Sequence, residues 1–571
     1  MRFVRSCFLL LTSLLVAVPC AVAQAPDTTE LPEIAPREIE IRSEREIALP
    51  SLERQPLTGF ASPPDVPAVP ADHSPYVGTY TYPLDNLPES LPVPQTVSES
   101  MQPTGTPAQG FLEGGTGRYF SRFFEGRMSE PLSSTERLSV HGAYTGTEDD
   151  PNDDVAEARV RLESTQQSLK VDAEAHGTVQ RYALFGARPL TSNVPDTPDR
   201  EGYTAGASVR VANTGTIPAS AQVQYDYASY SSALSTPPSG AGARDLVFSQ
   251  QQFELRGATT VPIRFRPHLD ATYRRSWLGG DPADDTAFDL DATGTISVFE
   301  TDSTRLEVGA TALAYSTPAD PTTPALGAAD ATFIAPTVHA EWWVTDAARL
   351  HLRNRPRLGD SSLDQLYAAN PYIEFASSLQ PTLETTNAEV GLTYAPGPVQ
   401  IVAAAGYRYA PTYRYFELSP QSRGGYGDLY AVRYDAAQII EGRGEIALQG
   451  TEGIQASLGI SVRDGALGSD DTDIPNFAAV TADAMVGVSF AGGDGFLKAH
   501  GSLEGPRDAS LRPQAEQVDT YFSVDLEGSY ALNPQIEIVA RARNLSYEAP
   551  THWARYPRPP AEVSAGLRLQ W

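Results

Sequence analysis

The chain ends Ala561-Glu562-Val563-Ser564-Ala565-Gly566-Leu567-Arg568-Leu569-Gln570-Trp571. Val563, Ala565, Leu567, Leu569 and Trp571 fall on one face of an extended strand, and Glu562, Ser564, Gly566, Arg568 and Gln570 on the other. An apolar face backed by a charged one suits a strand with hydrocarbon on one side and water on the other. A strand of a soluble sandwich alternates in the same way, so the decision rests on whether the pattern recurs along the chain.

It recurs from about residue 110 onward. Leu169, Val171, Ala173 and Ala175 alternate with Lys170, Asp172, Glu174 and His176. Phe265, Leu269, Ala271 and Tyr273 alternate with Arg264, Arg266, His268, Asp270 and Arg274. Ile454, Ala456, Leu458, Ile460 and Val462 alternate with Gln455, Ser457, Gly459 and Ser461. Each run has about the 9–11 residues that a tilted membrane strand needs.

The links between runs also alternate. Short ones, such as Ser164–Gln167, Thr301–Ser303, Pro396–Pro398 and Asn533–Gln535, separate long ones, such as Gly186–Arg200, Ser231–Leu246, Arg357–Leu383 and Ser546–Pro560. Short turns on one side and long loops on the other are the habit of transmembrane barrels. Twenty strands follow Glu136, and Gly110–Met128 reads as an initial hairpin. The expectation is an all-β, antiparallel transmembrane barrel of about 20–22 strands over residues 106–571.

The N-terminus reads as a secretory signal peptide over residues 1–23. Arg2 and Arg5 precede an apolar core, and Ala21-Val22-Ala23 is a cleavage site. Pro19 stands where a lipobox before Cys20 needs a small residue. Both cysteines lie in this segment, so the mature chain has no disulfides. Residues 24–105 are punctuated by proline, for example Pro63, Pro64, Pro67 and Pro70, which fixes the backbone and removes amide donors. They read as an extended periplasmic arm, a possible partial lumen insert. Within it Glu38, Ile39, Glu40 and Ile41 alternate and form a candidate strand for docking a partner.

The net charge is −29, and Lys170 and Lys498 are the only lysines. Nucleic acid is therefore not an expected partner, because its recognition needs cationic patches. Ionisable side chains on the water-facing side are Arg159, Arg161, Lys170, Asp172, Glu174, Arg264, Arg266, Arg274, Glu537, Arg541 and Arg568. On lipid each would cost a few kcal/mol, so they are candidate lumen-lining charges, either a salt-bridged wall or a path for anions. Acid runs at Asp149–Asp154 and Asp470–Asp473 offer carboxylates to calcium but lack EF-hand spacing. His141 and His176 have serines nearby at Ser139 and Ser168, yet no nucleophile motif accompanies them. No enzyme activity, cofactor or resident metal is expected.

Three ordered stretches resemble the barrel of the TonB-dependent receptors. The first is Asn370-Pro371-Tyr372, with Leu379-Gln380-Pro381, Glu384 and Glu389-Val390-Gly391-Leu392-Thr393-Tyr394. The second is Ala540-Arg541-Ala542-Arg543-Asn544-Leu545, and the third is Tyr556-Pro557-Arg558-Pro559-Pro560. The resemblance implies solute uptake in the outer membrane, with both termini periplasmic. It implies three partners: outer-membrane lipid, an inner-membrane energy-coupling complex reached through the arm, and the barrel assembly machinery. The machinery would read Leu567, Leu569 and Trp571. Residues 24–105 are too short and too proline-rich for the family's plug, and Ser546 replaces its usual Asp. A plug-less passive porin, or a barrel anchoring a periplasmic partner, are the other readings.

Overall fold

A computed structural model describes residues 109–147, 153–189, 198–232, 246–280, 285–318, 329–374, 379–419, 426–451, 453–468, 472–511, 516–545, 551–557 and 561–571. The expected signal segment, the arm and Glu38–Ile41 lie outside the described residues.

Twenty-two strands form the barrel. The first eleven are β1 (Gly110–Gly117), β2 (Arg122–Pro131), β3 (Glu136–Thr147), β4 (Asp153–Gln166), β5 (Leu169–Ala183), β6 (Asp199–Asn213), β7 (Ala219–Ser232), β8 (Leu246–Thr260), β9 (His268–Gly280), β10 (Asp285–Glu300) and β11 (Thr304–Thr317). The rest are β12 (Ala329–Thr345), β13 (Ala348–Asn354), β14 (Thr386–Tyr394), β15 (Val399–Ser419), β16 (Leu429–Thr451), β17 (Ile454–Leu467), β18 (Val480–Phe490), β19 (Gly495–Glu504), β20 (Tyr521–Asn533), β21 (Ile536–Arg543) and β22 (Glu562–Gln570). Each pairs antiparallel with the next, and β22 pairs with β1, so the sheet has no edge. Closure leaves no ladder amide facing hydrocarbon, which an open sheet in lipid would.

Alternation decides the two faces. Val209, Val223, Leu255, Leu269, Ile296 and Ile460 are exposed on the outer wall. Val563, Leu567, Leu569 and Trp571 share that wall, while Ser564 is buried inside. Turns at one end are short, as at Gln167–Ser168, Asp302–Ser303 and Gly453. The other end carries the long links, but only in part: β1–β2 is joined through residues 118–121 alone. Trp571 exchanges backbone hydrogen bonds with Gly110 at 3.1 Å each way, so both ends of the barrel chain meet at the short-turn end.

The seam between first and last strands is packed closely. A Cβ on Gly566 would collide with the Gly114 carbonyl and the Phe123 ring, and one on Gly115 would meet the same ring. Glycine is needed where Phe123 lies across the join. The Arg541 guanidinium sits over that ring at 4.7 Å.

One local expectation is corrected. Arg264 and Arg266 do not belong to a strand; they stand in the β8–β9 turn, and the strand begins at His268. Arg266 has φ 37° and its amide donates to the Ile263 carbonyl at 2.8 Å, a tight turn that extended backbone cannot make.

Candidate functional site

The lumen holds the described parts of the link between β13 and β14, residues 355–374 and 379–385. Its core is α1 (Leu363–Ala369), one short helix with Leu363, Leu366 and Tyr367 on a single buried face. Asp360 Oδ1 accepts the Ser362 amide at 2.7 Å just before the helix, and Asn370 and Pro371 end it. The strands that carry the loop are short, seven and nine residues, against twenty-one in β15 and twenty-three in β16. The chain therefore leaves the wall inside the barrel and rises within it.

Contacts to the wall follow one after another. Arg355 reaches Asp270 of β9 at 3.5 Å, and the Leu358 amide donates to Asp291 of β10 at 3.4 Å. Residues 357–358 pair with 383–384, and Leu358 and Leu383 cover the inward Leu313 and Tyr315 of β11. The Leu363 amide donates to Gln250 of β8 at 2.5 Å. Tyr367 stacks on Tyr230 of β7 with ring centres 3.9 Å apart, and the buried Arg200 guanidinium lies 5.0 Å from the Tyr367 ring. Asp364 stands on the exposed side of the helix, yet the protein around it partly desolvates its carboxyl and pushes it above the ordinary range.

The loop then bridges the lumen. Tyr182 of β5 and Arg200 of β6 both donate to the Pro371 carbonyl, at 3.0 and 2.7 Å. On β16, the Tyr430 amide donates to the Tyr372 carbonyl at 3.0 Å, and Glu374 donates back to Tyr430 at 2.7 Å. β5 and β16 are eleven strands apart in a ring of twenty-two, hence on opposite walls. Their loops also join: Arg188–Pro189 pairs antiparallel with Tyr426–Gly427, and Arg188 meets Asp428 at 3.1 Å. Tyr556 stacks on Tyr372 at 3.8 Å and donates to the Asp428 carbonyl at 3.1 Å. An apolar core of Leu184, Tyr230, Leu366, Ile373, Tyr430 and Tyr556 lies at this long-loop end.

The charged wall sorts into three groups. Arg159, Arg161, Lys170, Asp172 and Glu174 come together on β4 and β5: Arg159 meets Glu174 at 3.5 Å, Arg161 binds Asp172, and Lys170 approaches Glu163 at 3.9 Å. Arg274 sits beneath the loop between Glu254 at 2.6 Å and Asp289 at 3.3 Å. Glu537, Arg541 and Arg568 meet at the seam around Glu113, whose side chain is 0% exposed. Arg264 and Arg266 join none of these; Arg266 pairs with Glu300 at 2.6 Å. Glu113, Glu254 and Asp289 were missed as site residues. Only register reveals them, since Glu113 faces Arg568, and Glu254 and Asp289 both face Arg274.

No group of three or more His, Cys, Asp or Glu able to hold a metal ion occurs among the described residues. The two acid runs lie only partly within them.

These features define a closed, membrane-spanning β-barrel with an apolar outer belt and a loop folded into its lumen. Solved structures with the same barrel are TonB-dependent outer-membrane receptors. The copper transporter OprC aligns with TM-score 0.60 and 15% identity over 81% of this chain and 81% of its own. The ferric-catecholate import receptor Fiu of E. coli K12 aligns with TM-score 0.60 and 10% identity, over 82% of each chain. The FrpB iron transporter of Neisseria meningitidis gives 0.61 and 10%, over 81% of this chain and 82% of its own. At this identity the likeness establishes the fold: the chain has the 22-stranded barrel of those receptors. No family model and no curated protein sequence matches it.

Proposed function

We propose that the chain is a receptor-like barrel that imports a solute across the outer membrane through a lumen obstructed by its own loop. The long loops face outward, and both ends of the barrel chain face the periplasm. Residues 1–23 act as signal peptide and 24–105 as a periplasmic arm. Glu38–Ile41 would add as a strand to an inner-membrane energy-coupling complex. The observation that carries this reading is the loop of residues 355–385, hydrogen-bonded to opposite walls through Pro371, Tyr372 and Glu374. A segment tied to both walls narrows the path between them, which favours an obstructed lumen over an open channel. The names of the structural neighbours, a copper transporter and a ferric-catecholate import receptor, favour import as the task. The lining of this lumen, not theirs, sets the solute.

The test is single-channel conductance of the refolded mature protein in a planar bilayer. Three forms are compared: intact, lacking residues 24–105, and with residues 362–378 replaced by a short Gly-Ser link. The expected result is a silent intact protein and a conducting loop variant. Steady conductance of the intact protein would make it a passive porin. Silence of all three forms would leave a barrel that anchors a periplasmic partner.

A further inference from the structure

On β13 the inward positions are Arg349, His351 and Arg353, alternating with Leu350 and Leu352, and Arg355 and Arg357 continue the series into the loop. Such a cationic run is unexpected in a chain of net charge −29. At its centre two arginines and a histidine converge on one carboxylate. Glu389 of β14 receives His351 at 3.0 Å, Arg353 at 3.2 Å and Arg443 of β16 at 3.1 Å. Beside them Arg408 of β15 is bound to Glu441, which also accepts the Ser461 hydroxyl at 2.6 Å. Three arginines therefore stand against two carboxylates, an excess of one positive charge, and of two when His351 is protonated.

The backbone leaves room there. Ala388, Ala404 and Gly406 line a cavity of about 20 Å³ beside the guanidinium groups, roughly the space of one water or one ligand oxygen. Glu389 fills with its own carboxylate the place where a ligand's oxyanion would be held by two arginine forks and an imidazole.

We propose that Arg353, Arg443 and His351 form a binding site for the oxyanion group of an imported solute, a carboxylate or a phosphate, with Glu389 as its internal stand-in. This rests on the import reading above and names the solute class for it. At the seam one carboxylate, Glu113, is shared by two arginines. Here one carboxylate serves two arginines and a histidine, and the run of basic side chains leads from this point to the loop that obstructs the lumen.

The test is calorimetric titration of the refolded, full-length mature protein in detergent. Citrate and inorganic pyrophosphate are the probes, and spermidine and glucose the cationic and neutral controls. One of the two anions should bind saturably, and which one does identifies carboxylate or phosphate. Arg353→Gln with Arg443→Gln should weaken binding about tenfold or more, from the loss of two charge-assisted bonds, and the paired lysine variants should recover part of it. Glu389→Gln should tighten binding several-fold by removing the internal competitor. A purely structural ion pair predicts no such gain. Heat-dependent gel mobility confirms that each variant is folded.

Saturable binding of neither anion, or equal binding by the double glutamine variant, overturns the site. A barrel that conducts after loop replacement but binds no anion keeps import and loses the site. Binding that depends on Arg353 and Arg443, in a barrel that never conducts, keeps the site and loses import.

Discussion

Tyr182 and Tyr430 stand on opposite walls, yet they hydrogen-bond to consecutive residues of one loop. The Tyr182 hydroxyl donates to the Pro371 carbonyl at 3.0 Å, and the Tyr430 amide to the Tyr372 carbonyl at 3.0 Å. The wall at Tyr182 is reinforced by Arg200, which donates to the same Pro371 carbonyl at 2.7 Å. A neutral hydrogen bond contributes roughly 1 kcal/mol and a charged one about 1.5–3. Tyr182→Phe with Arg200→Gln should therefore release the loop from that wall and raise the open-to-closed ratio about thirtyfold or more. Open probability in a planar bilayer measures it. Tyr430→Phe is the control. It keeps the backbone bond and loses only the hydroxyl contact to the Ala554 carbonyl at 3.4 Å, so gating should barely change.

Loop docking should also respond to acid. Desolvation of Asp364 raises its pKa in the docked loop, and the nearby charge of Asp360 adds to the rise; a hydrogen bond with Ser362 opposes it. A released loop returns Asp364 to the ordinary carboxylate range. Between the ordinary and the raised value the docked form keeps a proton that the free form has lost. Docking is then strongest at low pH and weakens as pH rises through the raised value. Closed dwell times should shorten from acid to neutral pH. Asp364→Asn should lengthen them at neutral pH and flatten the dependence. Dwell times that lengthen as pH rises would reverse the sign and rule this account out.

The seam predicts a stability effect. Glu113 is buried between Arg541 at 2.5 Å and Arg568 at 2.6 Å. Glu113→Gln leaves two guanidinium groups without their shared counter-ion. Breaking a buried pair from one side costs about 3–5 kcal/mol, so the barrel should lose its folded gel mobility at a clearly lower temperature. Arg541→Gln should cost less. It removes one cation, and Glu113 keeps Arg568, which is itself anchored to Glu537 at 3.0 Å.

The barrel was legible because lipid imposes a period of two on every strand, and Leu567-Arg568-Leu569 shows that rule within three residues. The same rule misled at Arg264 and Arg266. Alternating arginines look alike in a strand and in a turn, and the left-handed backbone at Arg266 leaves no mark on the pattern. The lumen site was hidden for another reason. Glu389 meets Arg443 across 54 residues, and Tyr182 meets Pro371 across 189. Such partners are fixed by register and closure, which single-strand alternation does not contain. The stretch Asn370–Tyr372 was conspicuous by its resemblance, but only the fold shows it held between opposite walls.

The two faces of β17 offer a direct test of the membrane assignment. Ile460 stands exposed at mid-strand, while Ser457 faces inward opposite Ala447 of β16 and Met485 of β18. An arginine on the lipid face costs about 2–4 kcal/mol near the bilayer midplane, and one in a hydrated lumen costs far less. Ile460→Arg should therefore lower the folded fraction in lipid vesicles at intermediate urea, whereas Ser457→Arg should leave it nearly unchanged. Both variants carry the same new charge on the same strand, so any difference reports the environment of each face. Equal effects from the two would mean that the wall at Ile460 is not in contact with lipid.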